Sequence, residues 1–161
     1  MTAPGSRQGK VPLQTLRDWA QSTDPVLNQL AFHTAFEHPS DVDDLGARER
    51  LEICLRFLER ALAREYGDSI PDGPYVLAHT TLGWLRQLAA SGDRAARDEL
   101  DAIIAMLERV ARRGDAATRD VIVLGILEHA LAEPGTGALF RQWADDPELA
   151  PLYHEAESLA T

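Results

Sequence analysis

The stretch Val121–Leu127 (VIVLGIL) decides the fold, because both a buried strand and a buried helix can claim it. Its β-branched residues favour a pleated backbone, and an unbroken apolar run carries no period of its own. The flanks settle the reading. Asp115 stands where an N-cap belongs, Ala116 to Asp120 lead into the run, and Glu128 to Leu131 continue it past ordinary strand length. No second strand candidate exists to pair with it. The sequence therefore predicts a central helix, apolar on most sides, in which Gly125 lets a neighbouring helix approach closely.

Working upstream, Gly114-Asp115 ends a helix that Asp93 caps and that carries Leu100, Ile103, Ile104, Leu107 and Val110. Ser91-Gly92 closes another, begun at Pro74, with Val76, Leu77, Thr81, Trp84, Leu85 and Leu88. The linker Gly67 to Gly73 (GDSIPDG) cannot continue a helix cheaply. Before it, Ser40 with Asp43 resembles a capping box opening a long helix to about Tyr66, whose buried face is Leu51, Cys54, Leu55, Leu58 and Leu62. Asp24-Pro25 starts a helix to Glu37 carrying Val26, Leu27, Leu30, Ala31, Phe32 and Phe36, and His38-Pro39 ends it. A first helix covers Leu13 to Gln21.

Downstream, Glu133 to Gly137 (EPGTG) reads as a breaker, followed by a short helix with Leu139, Phe140 and Trp143. Asp146-Pro147 then restarts a terminal helix bearing Leu149, Leu152, Tyr153 and Leu159. The fold class is all-α: an antiparallel helical bundle or a short HEAT-like stack of helical hairpins, with about seven helices in one domain over residues 11–161. Residues 1–10 (MTAPGSRQGK) read as a flexible tail. Leu51 to Ala61 (LEICLRFLERA) and Leu100 to Ala111 (LDAIIAMLERVA) echo one another, but two copies are fewer than a repeat array needs.

A chain of 161 residues can bury one core unaided, and its single cysteine, Cys54, cannot form an intramolecular disulfide. No apolar run is long enough to span a membrane and no secretory leader is visible, so the cytoplasm is the expected location. A net charge of −10 repels phosphate and anionic lipid, which disfavours nucleic acid and membrane as partners.

Little in the sequence points to catalysis. His33 and Glu37 are spaced to share a helix face, as two metal ligands would, but a third would have to come from His79, His129 or His154 on other helices. Cys54 sits in an apolar segment, no serine lies in a glycine-flanked elbow, and no glycine-rich phosphate loop is present. The reading is a non-enzyme without metal or cofactor; a metal-dependent or small-molecule-binding helical enzyme is the distant alternative.

Charge is unevenly placed. From Asp18 to Ala47 there are six acids and no basic residue, and from Asp120 onward eight acids face Arg141 alone. Arg48 to Arg119 balances at twelve against twelve. If the chain ends fold together, Asp41, Asp43, Asp44, Asp145, Asp146 and Glu148 form an acidic face for a basic partner protein. Trp143 and Tyr153 are its candidate anchors, with core packing as the competing role for Trp143.

The residues Gly114 to Glu128 (GDAATRDVIVLGILE) resemble a segment of small, acidic, helical bacterial proteins that include suspected immunity proteins of polymorphic toxin systems. The resemblance lies in Gly-Asp, an Arg with Asp, a Val-rich apolar turn, a glycine and Leu-Glu, and extends loosely to the tail around Trp143 and Tyr153. It implies binding and neutralising a cognate toxin, with no chemistry of its own; taken with the acidic face, the partner is a toxin domain with a basic face. A HEAT-like scaffold or adaptor protein is the alternative.

Overall fold

The computed structural model describes residues 9–160 and divides the chain into two compact units, Met1–Phe57 and Leu58–Thr161. The flexible tail expected over residues 1–10 lies outside the described residues except for Gly9 and Lys10, which are exposed. The chain is all-α, as the sequence predicts: among the described residues there is no strand, only a lone bridge between Val11 and Val42.

In the first unit α1 (Leu13–Gln21) packs on α2 (Pro25–Glu37), and α3 (Ala47–Leu62) begins. The Asp24 carboxylate accepts from the Val26 amide at 3.0 Å with Pro25 next, the predicted cap. Asn28 is buried, and its amide donates to the carbonyls of Trp19 at 3.0 Å and Ser22 at 2.9 Å. It thereby supplements the Ser22 amide at the Trp19 carbonyl and gives the Ser22 carbonyl a donor where α1 ends. Arg50 does the same for α2, donating to the carbonyls of Ala35 and Phe36. Phe32 stacks on Phe36 and on Phe57, with ring centroids 5.3 and 4.8 Å apart. Leu16, Ala31, Ala35 and Cys54 complete this core.

The predicted start of α3 at Ser40 is wrong. Residues Pro39–Asp41 form a short 3₁₀ turn and α3 begins only at Ala47. Val42 is buried and extended, and the Asp43 amide bonds to the carbonyl of Val11 at 3.0 Å, so the backbone that a capping box needs is committed elsewhere. α3 also ends at Leu62, not Tyr66, with Arg64 and Gly67 at positive φ in the turn that follows.

In the second unit α4 (Pro74–Ser91) packs on α5 (Arg94–Arg113), and Asp93 caps α5 through the Ala96 amide at 2.7 Å. α6 (Ala116–Ile122) is capped by Asp115 through the Thr118 amide at 2.9 Å. The decisive run is helical, but Val123–Leu127 forms a π turn between α6 and α7 (Glu128–Leu131). This rod packs against α4 and α9 (Ala150–Leu159), with Val121, Ile122, Val123, Ile126 and Leu127 buried and Leu124 exposed.

Two downstream expectations are corrected. The EPGTG segment is no breaker: Pro134–Gly137 makes a helical turn, α8, because proline suits a first helical position and the buried Thr136 hydroxyl donates to the Ala130 carbonyl at 3.0 Å. A 3₁₀ segment, Ala138–Asp145, continues it. The last helix starts at Ala150, three residues beyond the predicted Asp146-Pro147 restart, since Asp146 caps an intervening turn by accepting from the amides of Glu148 and Leu149.

Candidate functional site

In the first unit the loop after α2 alternates like a short strand. Val42 points inward, while Asp41 and Asp43 on either side are exposed. Two backbone bonds fix it: the Val11 amide donates to Asp41 at 2.8 Å and the Asp43 amide to Val11 at 3.0 Å. Asp44 follows, also exposed, at φ 57°, a conformation that aspartate tolerates better than most residues. Asp41 has the His38 ring 3.9 Å away. Among the described residues none of the three carboxylates forms an ion pair with an arginine or lysine.

Beside this loop α2 carries a feature absent from the sequence reading. Val26 and Leu30, expected in the core, are 51% and 43% exposed. They stand one turn apart, and Glu37 continues the same face toward the acidic loop. The available signal was excess: α2 has more apolar positions than one face can bury. His33 approaches Glu37 at 3.3 Å, as their spacing predicts, and also bonds the Gln29 amide at 3.0 Å.

The second unit treats its predicted residues differently. Asp145 is exposed, but Asp146 pairs with Arg112 of α5, with 3.2 Å between the longer-separated atoms. The guanidinium, helped by the amides of Glu148 and Leu149, holds the Asp146 carboxyl down at about 2. Glu148 lies 3.5 Å from the same guanidinium. Asp146 is therefore a cap and a tether between elements, with little charge left to offer a partner.

Trp143 is buried, edge-on to Phe140 at 5.3 Å, so it is a core residue and not an anchor. Its indole N–H has no hydrogen-bond partner among the described residues. Tyr153 is half-buried. The two predicted acidic groups belong to different units, and each stands on its own geometry.

The remaining histidines do not build a metal centre. His79 and His129 bring their rings within 5.3 Å, yet among the described residues no group of three or more His, Cys, Asp or Glu side chains is placed to hold a metal ion. Cys54 is buried and forms no disulfide. Among the described residues no helix is long and apolar enough to cross a membrane. No family model, no curated protein and no solved structure matches the chain.

Proposed function

We propose that this chain is a non-enzymatic protein-binding module, an immunity-type inhibitor that neutralises a toxin domain in the cytoplasm. Its contact surface is the outer face of α2 with the loop that follows. The supporting observation is that α2 exposes Val26 and Leu30 on one face while the loop that follows it exposes the carboxylates of Asp41, Asp43 and Asp44, none of them paired with an arginine or lysine among the described residues. An apolar centre within a polar, solvent-accessible border is the usual anatomy of a specific interface, and here that border is acidic. The border selects a basic partner and accelerates its arrival.

The C-terminal acids contribute less to this reading than the sequence suggested, because Arg112 already neutralises Asp146. The test is co-expression with the toxin domain encoded immediately upstream, if the gene has such a neighbour, followed by association kinetics with the purified pair. The wild type should restore growth, and Asp43→Lys with Asp44→Lys should slow association about tenfold at low salt and flatten its salt dependence. Failure to protect, or unchanged kinetics in the reversed variant, overturns the proposal.

A further inference from the structure

We infer that a cleft in the second unit, between the 3₁₀ segment and α9, binds a small monocarboxylate through Arg141 and Tyr153. The cleft measures about 360 Å³, and Leu131, Pro134 and Ala138 line it beside its polar groups. Arg141 comes from the 3₁₀ segment, and Tyr153 and Glu157 come from one face of α9, four residues apart.

Arg141 is the only arginine or lysine after Arg119, in a stretch holding eight acids. An exposed guanidinium among so many carboxylates ordinarily settles on one of them. Here it does not: among the described residues Arg141 has no ion-pair or hydrogen-bond partner, and neither does the Tyr153 hydroxyl. The two carboxylates lining the same cleft are engaged elsewhere. Arg86 donates to Glu133 from two of its nitrogens, Nε at 3.0 Å and Nη2, and Glu157 faces the His154 ring at 3.4 Å.

Two unengaged donors therefore line one cleft. A guanidinium fork matches a carboxylate with two parallel hydrogen bonds, and the phenol can supply a third. The rim charge of Glu157 sets the selectivity, since Glu133 is already paired with Arg86. It repels a phosphate dianion twice as strongly as a monoanion, which favours a small monocarboxylate over inorganic phosphate. This site is separate from the α2 surface and does not depend on the inhibitor reading.

The experiment is amide NMR on the isotope-labelled full chain, titrated with isobutyrate, with its neutral isostere isobutyramide and with inorganic phosphate. Isobutyrate should shift the amides of Ala138, Arg141 and Tyr153 saturably, with both other probes about tenfold weaker or more. Arg141→Gln should lose at least about tenfold in affinity, Tyr153→Phe about threefold. Glu157→Gln, which removes a repelling charge, should tighten isobutyrate. Arg141→Gln and Tyr153→Phe alter an exposed and a half-buried group and break no side-chain hydrogen bond or ion pair found among the described residues, so a folded spectrum is expected from both. Equal binding of isobutyramide, an Arg141→Gln titration like the wild type, or no saturable shift at all overturns the inference.

Discussion

A Cβ placed on Gly125 would lie 2.7 Å from the Cβ of Ala78, closer than two carbons can pack. The decisive helical run thus meets α4 across a contact that only glycine permits on that side. Gly125→Ala should cost about 1 to 3 kcal/mol of stability in urea denaturation. Ala78→Gly introduced alongside it should return part of that loss, although alone it costs about 1 kcal/mol as a helix-interior glycine. Additive losses in the pair would place the close contact elsewhere.

Asn28 joins α1 to α2 by satisfying the carbonyls of Trp19 and Ser22 from inside the first unit. Asn28→Leu leaves the Ser22 carbonyl without this donor and the Trp19 carbonyl with only the Ser22 amide, in a part-buried setting, and should destabilise by about 1 to 3 kcal/mol. Hydrogen exchange resolved by residue should show the loss concentrated in α1 and α2.

Asp146 predicts a pH dependence. Its carboxyl titrates at about 2 in the folded chain against an ordinary 3.8, so the folded state holds this proton less tightly than the unfolded one. The resulting stabilisation is present above about pH 4 and is lost as the pH falls toward 2. Asp146→Asn should remove that part of the acid denaturation profile and leave the slope above pH 5 unchanged, as read by circular dichroism across a pH series.

Stability and partner binding should separate between two sets of side chains. Val26→Asp and Leu30→Asp alter exposed positions and should change stability by no more than about 0.5 kcal/mol, while abolishing capture of the partner on which the proposed function rests. Trp143→Ala should cost about 3 to 5 kcal/mol, since it empties a buried site. Trp143→Phe should cost much less, because it also removes a buried N–H that has no partner among the described residues.

What could be read from the sequence was what is decided locally. Asp24, Asp93 and Asp115 cap as expected because each carboxylate reaches an amide two or three residues ahead, whatever the tertiary fold. The Ser40-Asp43 cap failed because Val11, about thirty residues earlier, takes the Asp43 amide. Asp146 looked like a free surface acid because Arg112, 34 residues away, gives no local sign of reaching it. Pro134 was misread because proline marks the beginning of a helix as readily as its end. For the binding surface, Asp41, Asp43 and Asp44 could be named from charge spacing, whereas the exposure of Val26 and Leu30 depends on which side of α2 the aromatic stack occupies.

The π turn at Val123–Leu127 leaves the rod from Ala116 to Leu131 with one residue more than a regular ladder holds. Everything beyond it is rotated by about 100° from where an uninterrupted helix would aim it. Removing a single residue there would mend the hydrogen-bond ladder and at the same stroke swing Glu128 and His129 off their present azimuth. Shortening this segment is thus a local repair with a distant penalty, and its surplus residue acts as the indexing peg of the second unit.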